Sequence, residues 1–239
     1  MQRRNYLQGL TALGVVGTAG CLGVTDSNPN VVLAEPDRQF SSSDVPYPAW
    51  GEQIPDVTVP APLENRQVGI RTVEKPRLLT FIYTYCPTVC PVLTSTMRNV
   101  QTHALNNGYG EQVEFFPLTF DPARDTADRL RQYAEKMNVD ADAGNWHFLR
   151  PQSKERAKQV IQEQFGVAFQ KQSTTPSTDS SQNQTESGDG HHHDHGDYKF
   201  VHTPMTLLVN ADGYVERAYR TKSPNAEQII ADLKNVRNA

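Results

Sequence analysis

The chain has few cysteines and no large excess of charge of either sign. Three cysteines among 239 residues are too few for the disulfide framework of a small secreted protein. Its 23 basic and 27 acidic residues leave a net charge of −4, with no basic stripe, which excludes a general affinity for nucleic acid. At this length we expect one well-buried domain with additional tails, because two full domains would be tight.

The N-terminal segment 1–21 has an apolar stretch that is too short to span a bilayer of roughly 30 Å. Arg3 and Arg4 come first, then a short apolar run, then small residues before Cys21, an order typical of a signal peptide. Arg-Arg-x-Tyr-Leu resembles a twin-arginine export signal, and Thr-Ala-Gly-Cys resembles a lipobox, whose cysteine carries the lipid. Cleavage is favoured over lipidation of Cys21, and an uncleaved anchor is the alternative. In each case we expect the globular part on the extracytoplasmic face of the cell membrane, lipid-anchored or signal-anchored.

Two further segments, 22–53 and 171–198, are polar and lack the periodicity of helices or strands. The first contains several prolines and a serine run, which predicts an extended tether. The second is dominated by Ser, Thr, Gln, Asn, Asp and Gly, a composition that cannot bury a core. We therefore expect a folded domain over 54–239 that carries 171–198 as a disordered, flexible, His-rich insert.

Apolar segments and helical patterns alternate along this domain. Strands are predicted at 78–83, 113–120, 146–149, 205–209 and 214–219, and helices near Pro91, Asp125 or Thr126, Ser153 and Ala226. Between 54 and 70 the pattern predicts only short extended pieces. Strand–helix alternation followed by a hairpin and a closing helix predicts an α/β fold with a mixed sheet and flanking helices. A thioredoxin-like fold has this order of elements.

The most informative motif is Tyr-Thr-Tyr-Cys-Pro-Thr-Val-Cys-Pro at 83–91. It follows an apolar strand and leads into a helical pattern, which places Cys86 just before the helix and Cys90 one turn further on, facing it. The free N–H groups and partial positive charge of a helix N-terminus favour thiolate over thiol. Such a pair can exchange disulfides or bind a soft metal ion, and a pair of buried structural thiols is the third interpretation.

His202 is the expected third donor of a metal site. It precedes the predicted strand 205–209, which in a thioredoxin-like sheet ends beside the cysteine turn, and Pro204 lies near the position of a cis-proline in such folds. Two thiolates and an imidazole suit copper, above all Cu(I) and also Cu(II), whereas a closed structural zinc site takes four ligands. The alternative for His202 is a hydrogen-bonded structural histidine.

A second candidate metal site is the run His191, His192, His193, Asp194 and His195. Four imidazoles within five residues bind Cu(II), Zn(II) or Ni(II) with little control of geometry. If the run is functional, it collects or buffers metal near the ordered site. The alternative is a solvated loop with incidental metal affinity.

Two carboxylates follow the second predicted strand. Asp125, together with Thr126, is explained by capping of the next helix. Asp121 stands at the end of the strand, where a carboxylate can tune the pKa of a thiol or orient a metal ligand. His103 and His147 are expected to have structural roles, since one falls on a helix and the other in a strand.

These motifs together resemble the Sco/SenC family of thioredoxin-like, copper-binding proteins, which help to assemble the copper centre of cytochrome oxidase. The resemblance covers about residues 54–239 and rests on the motif at 83–91, on Asp-Pro-Ala-Arg-Asp-Thr at 121–126, and on His202-Thr203 ahead of the Asp212-Gly213 turn. It implies that Cys86, Cys90 and His202 are the copper ligands. Val201 departs from the family, which usually has an acidic residue before its histidine, and the hairpin that often precedes the first core strand is reduced to irregular pieces.

The resemblance and the donor set predict a membrane-tethered metallochaperone. It would deliver copper to the binuclear copper site in a subunit of a cytochrome oxidase, and it would not be an enzyme. The alternative is a thiol–disulfide oxidoreductase in which Cys86 attacks and Cys90 resolves, acting on the oxidase cysteines or in redox sensing. Three residues between the cysteines, where dithiol oxidoreductases mostly have two, and the presence of His202 favour the chaperone.

Overall fold

The structure, a computed structural model, describes residues 28–173 and 198–238. Within them the strands are β1 (Thr58–Ala61), β2 (Arg66–Gly69), β3 (Arg77–Ile82), β4 (Glu114–Thr119), β5 (Phe169–Ser173), β6 (Tyr198–His202), β7 (Thr206–Val209) and β8 (Val215–Tyr219). The helices are α1 (Val89–Asn106), α2 (Ala127–Lys136), α3 (Lys154–Ala157), which continues as π-helical turns over Lys158–Gln164, and α4 (Ala226–Arg237). The predicted alternation of strands and helices, with a hairpin and a closing helix, is confirmed.

Four strands form the central sheet, in the order β4-β3-β7-β8. β3 runs parallel to β4 and antiparallel to β7, and β7 runs antiparallel to β8, so the sheet is mixed as predicted. β3 and β4 are buried along their whole length. This burial explains why both strands have adjacent apolar residues, Leu78-Leu79 and Phe115-Phe116, rather than strict alternation.

Helix α1 packs against the sheet and against α4. Its buried residues include Leu93, Met97, Val100 and Ala104, which recur at the helical spacing seen in the sequence. Gly108, with a φ of +70°, follows the C-cap of this helix, where glycine adopts the left-handed conformation without a steric penalty. Together β3 and α1 place the cysteine motif at a strand-to-helix turn.

The segment before β1 packs on the domain over its described part, 28–53. Its buried residues are Leu33, Tyr47, Ala49 and Trp50. The indole N–H of Trp50 donates to the carbonyl oxygen of Leu33 at 2.8 Å, and the buried carboxylate of Glu216 in β8 accepts the backbone N–H of Leu33 at 2.9 Å. The extended tether predicted for 22–53 is therefore not observed over 28–53, because scattered apolar residues without periodicity still bury against the sheet.

A regular hairpin, β1–β2, precedes β3, where the sequence predicts irregular extended pieces. Val59 and Val68 face each other across the pair, and both are buried. Each strand has only four residues, and Pro60 interrupts the first. Such short strands give too weak an alternation to be recognised from sequence.

β5 and β6 pair into a second hairpin outside the central sheet. Four of the five residues of β5 are exposed, so its sequence has no apolar pattern. For this reason the prediction places 171–198 entirely in a flexible insert, whereas its first three residues and Tyr198 lie in strands. The predicted strand 146–149 forms isolated bridges to β4 instead, and the peptide bond before Pro204 is trans.

The expected signal peptide, Cys21 and the histidine run 191–195 lie outside the described residues. The signal peptide, the lipobox and the second metal site remain predictions. Across 28–173 and 198–238, no helix combines the length and the apolar character needed to cross a membrane.

Candidate metal centre

The two cysteines lie at the turn between β3 and α1. The backbone N–H of Cys86 donates to the carbonyl oxygen of Tyr83 at 3.3 Å, which closes the turn after the strand. Cys90 lies in the first turn of α1, and its backbone N–H donates to Cys86 Sγ at 3.5 Å. The hydroxyl of Thr88 lies 3.8 Å from the same sulfur. The start of the helix thus directs a free N–H group at Cys86, as a helix N-terminus does for an anion.

His202, at the end of β6, brings an imidazole to the cysteines from 112 residues beyond Cys90. Its Nε2 atom lies 3.5 Å from Cys90 Sγ, and the three ligand atoms of Cys86, Cys90 and His202 all lie within 4.8 Å of one another. The His202 ring packs on Phe120, with the ring centres 4.9 Å apart. Both cysteines are reduced, so a dithiol and an imidazole share one pocket.

The two sulfurs differ in exposure and in acidity. Cys90 is fully buried, whereas Cys86 retains 8% exposure. The hydrogen bond with the Cys90 thiol lowers the pKa of Cys86 far below its usual value, against the opposing effect of burial, and His202 adds to the lowering. Burial, followed by the hydrogen bond and charge of Cys86, raises the pKa of Cys90. The metal-free pair therefore carries a thiolate on Cys86 and a thiol on Cys90 at neutral pH.

The donor set suits a soft metal ion. Two sulfurs and one imidazole nitrogen, without a carboxylate in the group, match Cu(I) better than they match magnesium or calcium. Three ligands leave the four-coordinate shell of a structural zinc site incomplete. Nδ1 of His202 is buried without a hydrogen-bond partner among the described residues, so the ring directs its contact with the site through Nε2, at the sulfurs.

Asp125 supports the loop before the cysteines, which the helix-capping prediction does not anticipate. Thr126 is the N-cap of α2, and its side chain accepts the backbone N–H of Arg129. The buried Asp125 carboxylate accepts the backbone N–H of Thr84 at 3.2 Å, the Thr84 hydroxyl at 2.6 Å, and the hydroxyl of Thr119. Burial raises the pKa of Asp125 to about 6. Capping rules consider neighbours in sequence, and Thr84 is 41 residues away.

Asp121 bonds Arg124 and Tyr198 rather than the cysteines. Its carboxylate accepts Nε–H of Arg124 at 2.5 Å and the hydroxyl of Tyr198 at 2.9 Å. Arg124 also donates to the carbonyl oxygen of Tyr198 at 2.9 Å. Sequence reasoning missed both partners, although Arg124 belongs to the motif at 121–126 and Tyr198 is the aromatic residue that ends the polar insert.

Two other histidines have partners away from the sulfurs. His103 Nδ1 lies 2.6 Å from the hydroxyl of Tyr109. His147 lies between two carboxylates, 2.9 Å from Glu114 and 3.3 Å from Glu64. These contacts agree with the structural roles expected for both.

A reduced cysteine pair at the start of a helix, beside a strand of a mixed sheet, defines a thioredoxin-like protein, and the histidine from β6 makes its cysteine pair a potential metal site. The family model described as SCO1/SenC matches residues 71–238. Since this is more than half of the chain, the chain belongs to the SCO1/SenC family, and the resemblance found in the sequence is confirmed.

Three solved structures share the fold. ScoI of Bradyrhizobium japonicum, solved with copper bound, is 22% identical, with a TM-score of 0.55, over 75% of this chain and 96% of that one. A SCO1/SenC family lipoprotein from Bacillus anthracis is 21% identical, with a TM-score of 0.57, over 79% and 95%. BsSco, described with a disulfide switch and as a member of the Sco family of cytochrome c oxidase assembly proteins, is 21% identical, with a TM-score of 0.54, over 77% and 93%. These likenesses confirm the fold class.

Proposed function

We propose that this protein is a membrane-tethered, extracytoplasmic copper chaperone that binds copper through Cys86, Cys90 and His202. It delivers the metal to the binuclear copper site of a cytochrome oxidase. The observation that carries the proposal is the meeting of the three ligand atoms within 4.8 Å. Support comes from membership of the SCO1/SenC family, from the copper bound to ScoI and from the oxidase assembly role ascribed to the family of BsSco.

The chemistry of the site suits a metal that is cargo. Two thiolates and Cu(I) sum to a net charge of −1, which the backbone N–H of Cys90 offsets at Cys86 Sγ. Cys90 loses its proton when metal binds, because the thiolate is the ligand. The Cys86 sulfur is the more exposed of the two, so an acceptor can approach it first. An open three-coordinate shell then allows one ligand of the acceptor to enter before one of the donor leaves.

The tether belongs to the same proposal. Segment 1–21 resembles an export signal and ends at Cys21 in a lipobox-like sequence. The Bacillus anthracis structure is described as a lipoprotein, which supports attachment near a membrane. In the same scheme the run at 191–195 collects copper for the ordered site.

The test is a Cu(I) affinity measurement on the full chain by competition with a chromophoric Cu(I) chelator. Every variant also carries alanine at His191, His192, His193 and His195, so that the ordered site alone is measured. We expect His202→Ala to raise the Cu(I) dissociation constant at least about tenfold, since changes even in groups that merely orient metal ligands typically cost 10–100-fold. The matched control is His103→Ala, which removes a histidine of α1 bonded to Tyr109 and should leave the affinity unchanged. Equal affinity of the His202→Ala variant and its parent would remove the chaperone proposal.

A thiol–disulfide oxidoreductase is the second candidate, favoured by the lowered pKa of Cys86. The Cys86 thiolate would attack a substrate disulfide and form a mixed disulfide while releasing one substrate thiolate. Cys90 would then lose its proton and attack Cys86 Sγ, which forms the Cys86–Cys90 disulfide and leaves the substrate reduced by two electrons. In the same set of variants, steady insulin reduction that is unaffected by His202→Ala, together with unchanged copper affinity, would favour this enzyme.

A further inference from the structure

His202 lies on a strand pair, β5–β6, that is not hydrogen-bonded to the central sheet. β5 and β6 bond only to each other within the described sheets, and an isolated two-stranded hairpin is marginally stable in water. The position of the imidazole therefore depends on side-chain contacts between this hairpin and the rest of the domain. Those contacts fall into two groups, one apolar and one polar.

The apolar group anchors the middle of the hairpin. Phe200 packs on Phe120 and Tyr83, with ring centres 5.2 and 5.3 Å apart, and Phe169 stacks on Phe120 at 5.1 Å. Such contacts bring the hairpin to the domain, but they are non-directional. On their own they tolerate sliding of the hairpin along its strand direction, which would carry His202 away from the sulfurs.

The polar group is directional and lies at the opposite end of β6 from His202. Arg124 donates through Nη1 to the carbonyl oxygen of Tyr198 and through Nε to Asp121, and the Tyr198 hydroxyl donates to the second oxygen of Asp121 at 2.9 Å. The Arg124 guanidinium also lies 3.6 Å from the centre of the Tyr198 ring. These contacts close a cycle, which we call the Tyr198 clasp: Asp121, Arg124 and Tyr198.

The clasp and the metal ligand lie on the same face of one strand. Tyr198 and His202 are four residues apart in β6, so their side chains point to the same side, about 13 Å apart along the strand. A hydrogen bond from the backbone N–H of Phe200 to the Tyr83 hydroxyl, 3.3 Å long, holds the strand midway. Fixing Tyr198 therefore fixes the register at which His202 meets Cys90.

We infer that Arg124, with Asp121 and Tyr198, is a positioning residue that holds His202 at the metal centre. This inference rests on the proposed copper-binding function. Arg124 bonds the hairpin and the loop after β4, and its guanidinium also lies 4.8 Å from the ring centre of Tyr85 in the cysteine loop. Its hydrogen bonds to the hairpin are the contacts that act through His202. The loss of Arg124 should therefore weaken copper binding by a larger factor when His202 is present than when it is absent.

The test is a double-mutant cycle on the full chain in the background without the histidine run. We expect Arg124→Ala to raise the Cu(I) dissociation constant about tenfold when His202 is present, the lower end of the range for groups that orient metal ligands. In the His202→Ala background the same change should raise the dissociation constant by a clearly smaller factor, because only the contact of Arg124 with Tyr85 is then lost to the site. A purely structural role would weaken copper binding by the same factor in both backgrounds, and that result would overturn the inference, as would unchanged affinity in the first.

Arg131→Ala is the matched control. Arg131 pairs with Asp128 at the same three-residue spacing as Arg124 with Asp121, but that pair is exposed, so its loss should not affect copper affinity in either background. If circular dichroism shows that Arg124→Ala does not fold, Tyr198→Phe carries the test, since it removes only the hydroxyl bond to Asp121. It leaves the contact of Arg124 with Tyr85 in place, so it should weaken Cu(I) binding by a smaller factor than Arg124→Ala and only with His202 present. Identical affinities of this variant and its parent would overturn the inference.

Failure of the proposed copper function and failure of the inference alone give different copper affinities in these variants. If His202→Ala leaves the affinity unchanged, both the copper function and the inference are wrong. If His202→Ala weakens binding and the Tyr198 clasp variants do not, the copper function stands and the inference alone is wrong.

Discussion

Asp125 is a buried carboxylate directly behind the cysteine loop. It accepts hydrogen bonds from Thr84 and Thr119, yet burial outweighs them and raises its pKa to about 6. Its negative charge in turn contributes to the raised pKa of Cys90. Asp125 therefore supports the cysteine loop through Thr84, whereas Asp121 bonds Tyr198 of the β5–β6 hairpin.

The raised pKa of Asp125 predicts a pH-dependent loss of stability. An acid whose folded pKa lies above its unfolded value binds its proton more tightly in the folded state, so the unfolding free energy falls as pH rises from about 4 through about 6. Asp125→Asn should remove this fall, and its unfolding free energy relative to the parent should rise by up to about 3 kcal/mol across that interval. Urea unfolding at pH 4 to 7.5 measures the difference; Asp128→Asn, at an exposed position of α2, is the control. Parallel stability curves for the Asp125→Asn variant and its parent would contradict the prediction.

At the scale of elements, His147 connects the β1–β2 turn to the central sheet. It lies 2.9 Å from Glu114 in β4 and 3.3 Å from Glu64 in the turn, and Lys75 bonds the other oxygen of Glu114 at 2.8 Å. Burial lowers the pKa of His147, but hydrogen bonds with Glu114 and Glu64 outweigh it, and the net pKa is raised above 6.5. The hairpin is therefore held best when His147 is charged.

The sign of this shift predicts that the contact of His147 with the β1–β2 turn weakens as the pH rises above about 6.5. A histidine with a raised folded pKa contributes stability that is fully present below its unfolded pKa and is lost as pH rises through the folded pKa. Thermal unfolding midpoints of the parent should therefore fall relative to those of His147→Gln as the pH rises above about 6.5. Glu64→Gln, which removes the longer contact, should show part of the same effect. A pH-independent difference between the parent and His147→Gln would refute the role of the charge.

At the scale of the whole molecule, residues 30–32 and the metal centre lie at opposite ends of the sheet. β3 ends at the cysteine loop, while its first residue, Arg77, pairs with Val209 in β7. Next to Val209, the Asn210 side chain bonds the carbonyl oxygen of Asn30, and Glu216 accepts the N–H of Val32. A six-residue strand spans about 20 Å. The contacts of residues 30–32 with the sheet are therefore about one strand length from the cysteine loop.

The packed segment 28–53 predicts that the domain needs residues outside the family match. Trp50 is 8% exposed, and its replacement by alanine should lower the unfolding free energy by about 3 kcal/mol, as for other buried aromatics. Phe40 in the same segment is 41% exposed, and Phe40→Ala should cost less than about 0.5 kcal/mol. Urea unfolding measures both, and equal, negligible effects would mean that the segment is a tether in solution.

Most elements of the domain could be predicted because their signals are local. Leu93, Met97 and Val100 recur at helical spacing, and the strands β3 and β4 are rich in adjacent apolar residues. The hairpins β1–β2 and β5–β6 could not be predicted: β1–β2 is too short to show alternation, and β5 is mostly polar. The N-terminal segment was missed because residues such as Trp50 are isolated among prolines and polar residues.

By itself, the sequence determined the position of Cys86 and Cys90 at a strand-to-helix turn. Residues four apart at the start of a helix lie about one turn apart on the same face, so their spacing is enough to bring them together. The tertiary structure alone decided the rest of the site: the approach of His202, the support of Thr84 by Asp125, and the clasp of Tyr198 by Arg124. Each of these contacts joins residues 41 to 112 positions apart. They form only when the sheet has brought its strand ends together, and no local pattern in the chain encodes such a meeting.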